Sequence, residues 1–186
     1  MQDLSKTLRG RGVSKNLPNR FKPVGQTIDD YCDETEASNP ETIFIKDVSK
    51  SILSKNDSPD IPFESSLNPY RGCEHGCVYC YARPMHEYLE WSAGLDFETK
   101  ILGKEKAPQL LEKALSGKTW KPQVIALSGA TYPYQPAEKS FEISRKCLQV
   151  LLKFRNPVVT ITKNYLATRD IDLFSQLAEH NASAIY

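Results

Sequence analysis

Three of the chain's five cysteines, Cys73, Cys77 and Cys80, stand at C-x₃-C-x₂-C spacing in a single short stretch. Gly72 and Gly76 give the backbone between them freedom to turn tightly around something small. Three thiols this close, with no fourth cysteine in the stretch, suit a metal centre better than a disulfide. An iron–sulfur cube held by three cysteines would keep one iron open. Most protein-held clusters use four thiolates, and an open coordination position is a mark of catalytic rather than structural metal sites. A structural zinc site is the competing reading, with His75 as fourth ligand, since thiolate softness fits both metals. Zinc motifs, however, usually bring two separated pairs of ligands. His86, His180 and Cys32 have no companion at ligand spacing. Packing of unliganded cysteines is disfavoured by the polar, glycine-bearing surroundings.

The motif and its flanks, LNPYRGCEHGCVYCYARP with Tyr79 before the last cysteine, resemble the radical S-adenosylmethionine (SAM) enzymes, and within them the spore-photolyase-like, or DNA-repair-photolyase-like, branch. The resemblance continues through GLDFETKI (94–101), SGATYPYQPAE (128–138) and TITKNYLATRDIDL (160–173), and reaches back to RGRGVSKNLPNRF (9–21). It implies a 4Fe–4S cluster on Cys73, Cys77 and Cys80 that binds SAM at its open iron. It further implies reductive cleavage of SAM to a 5′-deoxyadenosyl radical, which abstracts hydrogen from a substrate. A reducing partner of flavodoxin or ferredoxin type is implied as electron donor, and nucleic acid is a candidate substrate. The chain carries Tyr132 where many members of the branch have Asp, and Gly129 where spore photolyase places a cysteine hydrogen donor. The second departure argues against thymine-dimer repair as the specific reaction.

Composition is consistent with this. The chain has 186 residues, 40% hydrophobic, enough for one real core, and a formal net charge of +1 that provides no global basic field for nucleic acid. Charge is segregated near the N-terminus. Lys6, Arg9, Arg11, Lys15, Arg20 and Lys22 precede an acidic run of Asp29, Asp30, Asp33, Glu34, Glu36 and Glu41. Residues 1–41 therefore read as a flexible, charge-segregated extension, mostly disordered or loosely docked, and 42–186 as the core domain. The basic part of the extension either touches a phosphate backbone or is simply solvated. No signal-peptide pattern or membrane-length apolar run is present, and clustered cysteines without a secretory signal point to a reducing cytoplasm.

Along the chain, strands are expected at 43–45, 61–67, 97–102, 124–127, 158–162 and 182–186. Helices are expected at 84–91, 107–115, 137–154 and 170–178, with a helical turn at 49–55 and a loop at 56–60. Cys147 falls on the apolar face of the 137–154 helix and reads as core packing. The βα alternation predicts an α/β fold with a parallel sheet. The resemblance implies, more specifically, a partial (βα) barrel of radical SAM type. With four βα units and the start of a fifth strand, the chain is expected to be incomplete at its C-terminus.

In parallel βα folds, function collects at the carboxyl ends of the strands. Here those ends carry the cysteine stretch, the hydroxyl-rich segment 128–138, and Thr162-Lys163-Asn164. A hydroxyl or carboxylate can receive an ammonium, and a lysine can pair with a carboxylate. By resemblance, Thr131 lies at the SAM amino-acid portion, Lys163 on its carboxylate and Tyr79 near its adenine, with Ser128 as a further cofactor-binding residue. Read without the resemblance, Thr131 is a turn residue and Lys163 a solvated cation. Tyr132, Tyr134 and Pro136 either stack on a base or cap the fold, and Glu138 either bonds within its loop or opens the next helix. A second functional class stays open, a non-catalytic, metal-stabilised nucleic-acid-binding module using residues 6–22.

Overall fold

A computed structural model describes residues 8, 10–21, 40–180 and 182–185. The strands are β1 (Ile43–Lys46), β2 (Leu53–Lys55), β3 (Ser65–Leu67), β4 (Tyr70–Arg71), β5 (Lys100–Gly103), β6 (Ile125–Leu127), β7 (Val158–Thr160) and β8 (Ser183–Ile185). The helices are α1 (Leu95–Thr99), α2 (Ala107–Leu115), α3 (Glu138–Phe141), α4 (Ile143–Lys153) and α5 (Ile171–Ala178), with 3-10 helices at Arg83–Leu89 and Tyr165–Asp170. The chain divides into two units, one of Met1–Phe44 and Gly72–Ile101, the other of Ile45–Arg71 and Leu102–Tyr186.

The second unit holds a mixed sheet of order β2-β3-β6-β7-β8. β3, β6, β7 and β8 are parallel, with Leu67, Leu127, Thr160 and Ile185 in register, and β2 runs antiparallel to β3. Ile125, Ala126 and Leu127 are all buried, as expected of a strand covered on both faces. α2 packs on α4, α4 on α5, and α5 on β8. Leu111, Leu115, Cys147, Leu148, Leu151, Phe174 and Leu177 form the buried stripe of these helices. The α/β class with parallel strands is therefore present. The sheet has two edges, β2 and β8, so the described strands close no barrel.

Several elements differ from the expectation, each for a local reason. Residues 97–102 do not form a strand of the parallel sheet. Their first part belongs to α1, and β5 pairs antiparallel with β4, Tyr70 with Gly103 and Arg71 with Leu102. The turn expected at 49–55 contains β2. The helix at 137–154 is broken at Glu142, whose φ of 52° lies in the left-handed region. The break lets the Glu138 carboxylate accept the Ser144 and Arg145 N–H groups (3.0 and 3.2 Å), capping α4. Glu138 thus both opens one helix and caps another.

Glu138 and Asp170, both fully buried, centre an ionic network. Tyr70 and Arg169 donate to Glu138, while Tyr134, Arg145 and Arg169 donate to Asp170. Burial, then the neighbouring carboxylates, raises both tyrosines' pKa values. Tyr134 is thereby a cap of the fold, fully buried, with its ring unavailable for stacking on a ligand.

In the first unit, α1 contacts the 3-10 helix Arg83–Leu89 around buried Phe97 and His86. Residues 10–21, expected within the flexible extension, are held to residues 87–98 by hydrogen bonds from Arg11, Gly12, Asn16, Leu17, Asn19 and Arg20. Their polar composition hid this, because the attachment is made by backbone groups and short amides rather than by apolar periodicity. Residues 1–7, 9 and 22–39 of the expected extension, including Cys32, lie outside the described residues.

Candidate metal centre and strand-end residues

The three cysteines occupy two consecutive backbone turns. The Gly76 N–H donates to the Cys73 carbonyl (3.3 Å), the Cys80 N–H to the Cys77 carbonyl (3.1 Å), and the Cys73 N–H anchors the loop to the Phe97 carbonyl (2.9 Å). The turns require positive φ at Gly72 (78°) and Gly76 (62°), conformations that glycine adopts without a steric penalty. Cys73 is buried, Cys77 and Cys80 are half-buried, and none of them forms a disulfide among the described residues.

Beneath the loop lies a group the sequence reading missed. The Arg83 guanidinium donates to the carbonyls of Gly76 (2.8 Å), Cys77 (2.9 Å), Ala93 (3.1 Å) and Gly94 (3.1 Å), and pairs with Glu98. Both partners are buried, Glu98 completely. Arg83 uses its rigid fork of donors to tie two backbone segments and the Glu98 carboxylate together, which a lysine could not do.

His75 is exposed and His86 is packed against Trp91 and Phe97, ring centroids 5.2 and 5.6 Å away. Among the described residues, no three His, Cys, Asp or Glu side chains group closely enough to hold one metal ion. Cys147 is fully buried in α4, and burial, then the Glu138 charge, pushes its thiol pKa up. Tyr79 projects outward, 79% exposed.

The other expected contact residues belong to the second unit, at the carboxyl ends of β6 and β7. Ser128 has a φ of 141°, strained for a residue with a side chain, and its N–H donates to the Leu67 carbonyl (3.2 Å). Asn68 Oδ1 accepts the Ala130 N–H (2.8 Å), and the buried Thr131 hydroxyl donates to the Tyr70 carbonyl (2.6 Å). Thr131's hydrogen is thus committed, while its oxygen lone pairs can accept. Lys163 is exposed, its backbone N–H donates to the Tyr132 hydroxyl, and no carboxylate pairs with its ammonium among the described residues. Thr160, the last residue of β7, has a buried Oγ1 without a hydrogen-bond partner among the described residues. Strained and unsatisfied groups thus collect at this strand end, where parallel sheets place their sites. Cys73, Cys77, Cys80 and Tyr79 lie together in one unit, and Ser128, Thr131 and Lys163 together in the other.

The chain is 36% identical over 131 residues to the uncharacterized protein Rv2578c of Mycobacterium tuberculosis, covering 70% of this chain and 38% of that protein. It is 34% identical over 116 residues to the uncharacterized protein MJ0683 of Methanocaldococcus jannaschii, covering 60% of this chain and 40% of that one. It is 28% identical over 115 residues to the uncharacterized protein ORF301 of Acidianus two-tailed virus, covering 60% and 38%. The matches thus span well under two thirds of these relatives' own lengths. No family model and no solved structure matches the chain. No helix among the described residues is long and apolar enough to cross a membrane.

Proposed function

We propose that the chain carries the cluster-binding core of a radical SAM enzyme of the spore-photolyase-like branch, its parallel strands forming part of a (βα) barrel of that type. The observation that carries this reading is the cysteine loop, in which three thiols outside any disulfide sit in two tight turns buttressed by a buried Arg83–Glu98 pair. The donor set fits a cube, with three soft thiolates and one corner left open.

Cys73, Cys77 and Cys80 would hold the cluster. When bound, the cluster and SAM supply the reductive cleavage that generates a hydrogen-abstracting radical. The chain's own residues bind and orient. As the resemblance implies, Thr131 would offer oxygen lone pairs to the SAM ammonium and Lys163 would offer charge to its carboxylate, with Ser128 in the adjoining turn. Tyr79, whose ring is exposed, would lie near the adenine. The electron donor is a reducing protein of flavodoxin or ferredoxin type, and nucleic acid is the candidate substrate class.

Anaerobic reconstitution should load about four irons with matching sulfide per chain. Alanine at Cys73, Cys77 or Cys80 should abolish loading, and alanine at Cys147 should not. SAM should alter the electron paramagnetic resonance signal of the reduced cluster. A colourless protein with one zinc and no response to SAM would overturn the reading in favour of a metal-stabilised nucleic-acid-binding module.

A further inference from the structure

The segment that runs through residues 11–20 is joined to the cysteine loop through a continuous set of polar contacts. The Gly12 N–H donates to Glu98 Oε2 (2.8 Å), Glu98 Oε1 pairs with Arg83, and Arg83 holds the Gly76 and Cys77 carbonyls. Contact at Gly12 is so close that a Cβ there would lie 1.6 Å from the Gly76 carbonyl oxygen. A Cβ on Gly76 would in turn lie 2.6 Å from Glu98 Oε2 and 3.0 Å from the Gly12 nitrogen. Two backbones and a carboxylate therefore meet with no space for a side chain.

The segment is fixed on either side of this point. Arg11 donates to the Glu98 carbonyl (2.9 Å), the Pro40 carbonyl (2.7 Å) and Thr42 Oγ1 (3.1 Å). Asn16 and Asp96 exchange two hydrogen bonds (3.0 and 2.8 Å), and the Leu17 backbone exchanges two with the Ser92 hydroxyl (2.7 and 2.8 Å). Asn19 donates to the Glu87 and Trp91 carbonyls (2.9 and 3.0 Å). Glu98 is fully buried, so loss of the Gly12 N–H leaves a carboxylate oxygen without that partner away from water.

We propose that residues 11–20 form a strap that positions the cysteine loop, with Gly12, Glu98 and Arg83 as positioning residues that fix the Gly76–Cys77 turn and slow its opening. The strap limits the access of solutes to the loop thiols and the escape of metal from them. The metal half of this inference rests on the proposed ligand set; the thiol half rests on the geometry alone.

The test uses the full chain in two arms. In metal-free protein, the labelling rate of each cysteine by an alkylating reagent is mapped by mass spectrometry. Gly12→Val should label Cys77 and Cys80 about tenfold faster, through more frequent local opening, while Cys147 stays protected. Asn16→Ala, which loosens the strap without inserting bulk, should act in the same direction. Glu98→Ala should match Gly12→Val, and the double variant should add little, because both break one series of contacts. Lys15→Ala should change nothing. In the second arm, reconstituted Gly12→Val and Asn16→Ala should release iron to a chelator faster than the unmodified chain. Unchanged Cys77 and Cys80 labelling in Gly12→Val and Asn16→Ala, with Cys147 protected, overturns the strap. If Gly12→Val exposes Cys147 as well, the Asn16→Ala labelling decides. An unmodified chain that takes up no iron overturns the ligand assignment instead, and the labelling arm still decides the strap.

Discussion

His86 is 1% exposed, packed between Trp91 and Phe97, and its Nε2 has no hydrogen-bond partner among the described residues. Burial pushes its pKa down to about 4, although nearby Asp96 pulls the other way. The folded chain therefore holds this imidazole neutral where an unfolded chain, with its histidine near the ordinary 6.5, takes up a proton. Stability from this residue is complete above about pH 6.5, falls as the pH drops, and levels off below about 4. Between pH 6.5 and 5, a window in which ordinary carboxylates stay ionised, the loss should be on the order of 2 kcal/mol. Urea unfolding at these two pH values measures it, and His86→Leu should flatten the difference. An equal pH dependence in His86→Leu would place the effect elsewhere.

Lys163 gives a second prediction at this scale. Its exposure means water screens any ion pair it makes, so Lys163→Ala should weaken SAM binding by roughly 1 kcal/mol or less, with iron content unchanged. Titration of SAM into the reduced cluster, followed by electron paramagnetic resonance, checks this; an unaltered titration removes Lys163 from the site. Lys163 was singled out by resemblance and by its place at a strand end, and the cysteine triplet was legible as a motif from type and spacing. Arg83 and Glu98 were not. Their pairing spans fifteen positions and depends on α1 turning Glu98 inward, which no local pattern announces.

At the scale of elements, α2 was legible to the residue, since its apolar spacing, its proline in the first turn and Gly117 beyond its end all agree. The α3–α4 break was not, because the periodicity of Ile143, Cys147, Val150 and Leu151 marks only α4 and Glu142 is no conventional breaker. Residues 97–102 misled for a different reason. A helix of five residues is too short to show its period, so α1 is specified by packing and by the strap rather than by pattern. The Glu142 conformation makes a prediction of sign. In a continuous helix, Glu142→Gly would cost about 1 kcal/mol. At a left-handed φ of 52°, glycine should instead be neutral or stabilising. Glu142→Val should destabilise by about 1–2 kcal/mol, since a β-branched residue tolerates this region poorly. Chemical denaturation of the two variants decides; destabilisation by glycine would restore the continuous helix.

For the whole molecule, the α/β class follows from alternating strand and helix patterns, and β3, β6, β7 and β8 bear it out. The division into two units was hidden, because one of them is interrupted in sequence by the cysteine loop, the 3-10 helix and α1. Where the chain leaves and re-enters the second unit, Arg71 and Leu102 are register partners of the antiparallel β4–β5 pair. A pair so placed can be closed by a two-residue Asn-Gly turn, whose twist matches that of adjoining antiparallel strands. The parallel sheet, the α2–α4–α5 layer and the Glu138–Asp170 network all lie within residues 45–71 and 102–185. A chain of residues 45–71, Asn-Gly and 102–186 should therefore fold with a cooperative thermal transition, keep Cys147 slow to alkylate and take up no iron. Cys147 reports the core directly, since it is fully buried and removed in sequence from the new turn. A broad, non-cooperative melt with Cys147 labelled at the rate of an unfolded chain would show that the second unit requires residues 72–101 for its stability.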